Sequence, residues 1–258
     1  MDYSGEVAAM QQELARSADM AVRRRRVLDA LGAAPGERVL DAGCGGGALL
    51  RQVGLVVGET GSALGIDLSP DQVAAARAHC ADLTQVGIEV GDVLAIPAAD
   101  EDFDAVLSTQ VLEYVVAVEA AVAELWRVDK PGGRFVNVAT NWGSLFLHGG
   151  DSRLTERIVT TWERHAPHPD LPVALPRMLA AAGFDAVAQE PVTIMNRHFE
   201  PGTYGHGAAR LMAAFAVGAG DLDDGDAGEW LDSLERADVA GDYFVSVVPV
   251  ITTATRPI

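Results

Sequence analysis

Cysteine is scarce in this 258-residue chain, which has only Cys44 and Cys80. Neither belongs to a CxxC pair or a His/Cys cluster, so the sequence offers no disulfide framework and no readable metal site. A reducing cytoplasm is the expected compartment. Long apolar runs are also missing, since none reaches the roughly 18 residues of a membrane span. The first twenty residues, "MDYSGEVAAMQQELARSADM", are polar and acidic and hold no signal-peptide core. Basic charge is short as well. The net charge of −18 disfavours nucleic acid and acidic membranes, whose binding draws most of its affinity from cationic side chains. The one basic run, Arg23 to Arg26, reads first as a solvated helix face pairing with nearby acids, with an anion or partner contact as the alternative. Nothing in the sequence reports an oligomeric state.

What is present is enough for a core. The hydrophobic fraction is 49%, which argues against disorder. A helical pattern covers about Glu6 to Leu31, within an N-terminal segment of residues 1–34, and "GAAPGE" ends it. Strand-like runs then alternate with helices: "RVLDAG", "ALGIDL", "GIEVGDV", "FDAVLST" and "RFVNVAT". The second helix is well signalled, with Ser69 placed to cap it, Pro70 at its first position and Gln72 completing a capping box. Continuous apolar strands between helices mean a parallel sheet covered on both faces. The rhythm breaks after Thr140. Two long excursions, 141–170 and 196–238, interrupt the pattern, separated by a helix and a strand over about Ala186 to Met195. "DYFVSVVPVITTATR" closes the chain as a strand. One α/β domain over 1–258, with the excursions as substrate-covering cap segments, is the expected organisation.

The stretch "RVLDAGCGGGALL" carries the first chemistry. Gly43 to Ala48 satisfies the pattern GxGxxG/A, which by itself fits either a ligand loop or a plain tight turn. The acids separate the ligands. A dinucleotide would put its anionic pyrophosphate on the helix that opens here, and Asp41 would repel it. A ligand with a cationic amino-acid end gains from Asp41 instead. Asp67 ends the second strand, where a carboxylate takes both hydroxyls of a ribose. Asp92 follows the third strand, where it can meet an adenine amino group beside the backbone of Val93. Cation, ribose and adenine in that order describe S-adenosylmethionine (SAM), which leaves as S-adenosylhomocysteine (SAH) after methyl transfer.

Four stretches, "VLDAGCGGG", "GIDLSPDQVAAAR", "GDVLAIPAADEDFDAVLSTQVLEYV" and "LWRVDKPGGRFV", resemble the class I SAM-dependent methyltransferases. The likeness is to the small-molecule branch with ubiquinone/menaquinone-type and natural-product enzymes. The resemblance implies a Rossmann-like, seven-stranded, mostly parallel sheet with an antiparallel last strand and helices on both faces. It also implies cofactor contacts from Asp41, Gly43, Gly45, Asp67, Leu68, Asp92, Val93 and Gln110. The family often has a histidine after "VLE"; Tyr114 stands there in this chain, so no histidine role transfers. Glu113 reads either as a neighbour of the sulfonium or as a surface acid, and Cys44 as a small packing residue.

The expected reaction is methyl transfer to a small apolar or aromatic metabolite, on O, N or C. The alternatives are a fold relative that binds SAM but does other chemistry, such as a cyclisation, and a non-catalytic SAM-binding module. A base is needed only for an acceptor that arrives protonated. Candidates are His148, Asp151, His165, His168, His198, Tyr204 and His206. His148 is preferred because it follows the fifth strand closely, with Asp151 in reach across "HGGD". Trp142, Phe146, Trp162, Phe199, Tyr204 and Phe215 are candidates for an acceptor pocket, while the stripe in "LMAAF" reads as core rather than lining. Both excursions are expected to fold over the carboxyl ends of the strands, with glycines at 143, 149, 150, 202, 205 and 207 as hinges.

Overall fold

A computed structural model describes residues 5–258; the first four residues of the expected N-terminal segment lie outside the described residues. In chain order the elements are α1 (Gly5–Ala15), α2 (Ala18–Leu31), β1 (Arg38–Ala42), α3 (Ala48–Val57), β2 (Ser62–Asp67), α4 (Pro70–His79), β3 (Val86–Val90) and β4 (Phe103–Thr109). They continue with α5 (Val118–Val128), β5 (Asp129–His148), α6 (Ser152–Trp162), α7 (Leu171–Ala182), β6 (Asp185–Pro191), β7 (Ile194–Asn196), α8 (Tyr204–Gly218), α9 (Asp224–Val239) and β8 (Phe244–Thr255). The chain divides into two compact units. The sheet unit is Arg24–Thr140, Asp170–Pro191 and Val250–Ile258; the helical unit takes the chain up to Arg23, Asn141–Pro169 and Val192–Pro249.

Strand order is β3-β2-β1-β4-β5-β8-β6, with β7 paired to β8. Strands β1 to β5 pair in parallel, and β8 runs antiparallel to β6 and β7. The chain starts centrally in β1, steps outward to β3, then returns beside β1 as β4. That reversal is the topological switch point, and ligands of open α/β sheets bind at the carboxyl ends of the strands there. Alternation along β2 separates the two faces of the sheet. Leu64 and Ile66 join a cluster with Leu125 of α5 and Leu175 and Leu179 of α7. A Cβ at Gly65, pointing the other way, would lie 2.4 Å from Leu50 of α3.

Local signals explain most boundaries. The Ser69 side chain accepts from the Gln72 N–H at 3.4 Å, with Pro70 opening α4. The single N-terminal helix read from the sequence is two. Buried Ser17 ends α1 through its N–H to the Leu14 carbonyl, and its hydroxyl accepts from the Met20 N–H to start α2. The sheet has eight strands, not seven. Twelve-residue β8 is long enough to pair β6 through Val250–Thr255 and β7 through Val245–Val247. Strand β5 also runs on to His148, past the expected break at Thr140.

The helical unit has its own core, with Leu154, Ile158, Trp162, Trp230, Leu234 and Tyr243 among its buried residues. The stripe Leu211, Met212 and Ala213 belongs to that core, as the sequence indicated. Its helices are well capped: Asp151 accepts from Leu154, Thr203 from His206 and Asp223 from Asp226. In the basic run, exposed Arg26 pairs with Glu190 at 3.1 Å, as expected of a solvated face. No helix among the described residues is long and apolar enough to cross a membrane.

Candidate cofactor site

The glycine loop leaves β1 at its carboxyl end and is pinned to β2. The N–H groups of Gly43 and Cys44 both donate to the Ile66 carbonyl, at 2.8 and 2.9 Å. Gly43, Gly45 and Gly47 have φ of 86°, 51° and 78°, the left-handed region that favours glycine. They differ in why they must be bare. A Cβ on Gly43 would stand 2.1 Å from Val111 Cγ2, and one on Gly47 would stand 3.0 Å from the Cβ of Ala76. A Cβ on Gly45 would meet nothing within 4 Å. Packing explains the first two; Gly45 leaves room for a ligand to approach the backbone.

Asp41 sits beneath this loop, 1% exposed, and neither carboxyl oxygen has a hydrogen-bond partner among the described residues. Burial, and secondarily the nearby Asp67 carboxylate, holds its pKa up at about 7. An unpaired buried carboxylate is costly, and a positively charged donor would relieve that cost. Asp67 is better satisfied. Its Oδ2 accepts from the Gly45 N–H and its Oδ1 from the Ser69 N–H, each at 2.9 Å. A carboxylate has about four acceptor positions, so capacity for two hydroxyls remains.

The other expected contacts flank these. Leu68 is 71% exposed at the carboxyl end of β2, an open apolar surface. Asp92 is exposed, and its Oδ1 accepts from the Leu94 N–H at 2.9 Å. The Val93 side chain is buried in the sheet core, so only its backbone is left for a ligand. Gln110 ends β4 at φ 58°. Its Nε2 donates to Glu113 Oε1 at 2.6 Å, and its Oε1 accepts from the Thr140 hydroxyl at 2.9 Å. Glu113 is fully buried, not a surface acid. Cys44 is a packing residue whose thiol is pushed up by burial.

The candidates from the excursions lie in the helical unit and are dispersed. His148 Nε2 is 3.0 Å from Asp242 Oδ1, with side chains 56% and 69% exposed. Asp151, thought to be in reach of His148, is instead the N-cap of α6. Gly149 and Gly150 form a crowded turn, where a Cβ would meet the Asp242 carbonyl at 2.8 Å and Ser233 Oγ at 2.6 Å respectively. Gly205 and Gly207 are equally tight against Tyr243 and Leu14, so these four serve close packing rather than hinging. His165 is stacked on Trp162 at 3.9 Å and edge-on to Trp142, and burial lowers its pKa to about 4. His198 pairs with Asp238 and His206 lies against Phe199. Trp162, Phe199 and Tyr204 are buried in the unit's own clusters, while Phe146 is 56% exposed.

Sequence reasoning missed Val111 as the residue that closes on Gly43, and Thr140 as a partner of Gln110. Neither carries a motif signal, because each role depends on a contact distant in sequence. Gly65 had a visible signal: it lies inside strand β2, and a glycine in a strand interior can mark close approach.

The model of the methyltransferase domain family matches residues 40–137. This stretch is similar to methyltransferase domains. It lies wholly within the sheet unit and contains Asp41, Gly43, Gly45, Asp67, Leu68, Asp92, Val93 and Gln110, whereas His148 is outside it. An uncharacterised 37.1 kDa protein in transposon TN4556 of Streptomyces fradiae is 34% identical over 88% of this chain and 65% of its own length. A demethylmenaquinone methyltransferase of Beutenbergia cavernae is 38% identical over 51% of this chain and 56% of its own. The chain thus spans less than two thirds of either relative. The crystal structure of the [4+2]-cyclase SpnF shares the fold, with a TM-score of 0.62 at 23% identity over 93% of this chain and 82% of its own.

Proposed function

We propose that the protein binds SAM at the carboxyl ends of β1, β2 and β4 and transfers its methyl group to a small, apolar or aromatic acceptor. The observation that carries this reading is Asp41: a buried carboxylate without a partner, beneath a glycine loop that leaves open space at Gly45. In this reading Asp41 takes the ammonium of the amino-acid end, and Asp67 the ribose hydroxyls. Leu68 lies against the adenine, Asp92 and the Val93 backbone meet its edge, and Gln110 faces the amino-acid end. The bound cofactor supplies a methyl carbon already activated by a sulfonium, which leaves as a neutral thioether. The chain's task is then alignment and exclusion of water, so orientation accounts for most of the rate.

Segments 141–170 and 196–238 are proposed to select the acceptor, and His148 to remove its proton where one must be removed. Its pairing with Asp242 at 3.0 Å is the arrangement that orients an imidazole. The demethylmenaquinone methyltransferase supports a small-molecule acceptor, and the scarcity of cysteine supports a reducing, cytoplasmic setting. A fold shared with a cyclase leaves the reaction to be decided by the site. Incubation of the SAM-loaded protein with a panel of phenols, quinols, amines and sterol-like alcohols tests the proposal. Methylated mass and SAH should appear together. Conversion of an acceptor without SAH release would support the non-methylating alternative, and failure to bind SAM would end the proposal.

A further inference from the structure

Gln110 holds a backbone conformation that side chains rarely adopt, at φ 58°. Such residues persist only where their surroundings over-determine them, and they cluster at functional sites. Here the surroundings are explicit. The Gln110 N–H donates to the Val138 carbonyl at 2.7 Å, its Nε2 to Glu113 Oε1 at 2.6 Å, and its Oε1 accepts from Thr140 Oγ1 at 2.9 Å. The Thr140 N–H also reaches Glu113 Oε1, at 3.4 Å. Glu113 and Thr140 are both completely buried. The amide side chain thus links the carboxyl end of β4 to Thr140 within β5, beside a buried carboxyl group.

This network has a consequence for the loop. Val111, between Gln110 and Glu113, presses on Gly43 so closely that no Cβ fits there. Holding Gln110 therefore holds Val111 against the glycine loop, next to strand β1, which carries Asp41. A glutamine at 113 would keep the same length and could still offer Gln110 an acceptor oxygen. A plain packing role would not require the charge.

We propose that Glu113 is a positioning residue for the cofactor. Through Gln110 it fixes the turn that closes on the glycine loop, and its carboxylate makes the site favour a positively charged methyl donor over the neutral thioether product. The inference rests on the cofactor reading above. In this inference Glu113 is ionised one hydrogen bond behind Gln110, in a low-dielectric setting where a carboxylate acts on a sulfonium more strongly than in water. It assists catalysis by weakening the grip on product once the charge is gone.

The test is the ratio of SAM to SAH affinity by calorimetry, in wild type and Glu113→Gln. The expected result is a SAM Kd about tenfold higher in the variant, with the SAH Kd changed less than about threefold. Equal weakening of both ligands would reduce Glu113 to packing, and no change in either would remove it from the site; both results overturn the inference. Thr140→Val carries the test if Glu113→Gln does not fold, because it removes the hydroxyl bond to Gln110 Oε1 while leaving the Glu113 carboxyl in place. That variant should weaken SAM and SAH together, and unaltered affinities would overturn the positioning role. Wild type that binds neither ligand would be a different failure, of the cofactor reading itself.

Discussion

The backbone N–H of Gly45 donates to Oδ2 of Asp67 at 2.9 Å. The bond ties the middle of the glycine loop to the carboxyl end of β2, so the two parts of the expected cofactor site are one structural piece. Asp67→Ala should therefore lose the ribose acceptor and loosen the loop together. Charge-assisted bonds are worth about 1.5–3 kcal/mol each, so the SAM Kd should rise roughly tenfold to a hundredfold. Asp67→Asn, which keeps size without charge, should fall between. Unchanged SAM affinity in a folded Asp67→Ala protein would remove the residue from the site.

Asp41 makes stability depend on pH. Its carboxyl ionises near 3.8 in the unfolded chain but at about 7 in the folded protein. Between those values the folded state retains a proton that the unfolded state has lost, so this group's contribution declines as pH rises from about 4 to about 7. The ceiling is on the order of 4 kcal/mol. His165, lowered to about 4 by burial, acts with the opposite slope, so the comparison must isolate Asp41. In urea unfolding the stability of Asp41→Asn relative to wild type should rise steadily from about pH 4 to about pH 7 and level off by about pH 8. A constant difference across that range would refute the assignment.

The same carboxylate is expected to set ligand choice. SAM and SAH carry an ammonium that Asp41 can meet, whereas NAD, NADP and FAD bring an anionic pyrophosphate to the loop. Thermal shift should show stabilisation by SAM and SAH, greater at about pH 8 than at about pH 5.5, and none by the dinucleotides. Equal or larger stabilisation by NAD would sink the charge argument.

For His148 the expected effect is on turnover. His148→Ala should lower turnover by about 10²-fold with an acceptor whose proton must be removed, and SAM binding should stay normal. Asp242→Asn, which removes the charged partner 3.0 Å away, should lower turnover with the same acceptor. A raised acceptor KM with kcat intact would leave His148 a binding role only. Full activity would end its candidacy.

Segments 141–170 and 196–238 are expected to respond to ligand. Hydrogen exchange there should slow when SAH and acceptor are bound, relative to β1 and β4. Because Gly149, Gly150, Gly205 and Gly207 are packed tightly, the freedom should be concentrated near Gly143 and Gly202. Exchange that ligand leaves unaltered would count against a covering role.

The sequence by itself determined the alternation of strands and helices up to Thr140, the cap at Ser69, and the acids Asp41, Asp67 and Asp92 at strand ends. These are local matters: apolar period, capping chemistry and strand-end position are all written within a few residues. It was also enough to mark the glycine loop, though not the different reason for each glycine. Tertiary structure decided that Gly43 answers to Val111, Gly65 to Leu50 and Cys44, and Gln110 to Glu113 and Thr140. It decided too that His148 meets Asp242 rather than Asp151, and that several excursion aromatics are core of a separate unit. Those partners stand up to 94 positions apart, and their pairing follows from how the elements pack. No local pattern encodes which distant side chain a loop residue will meet.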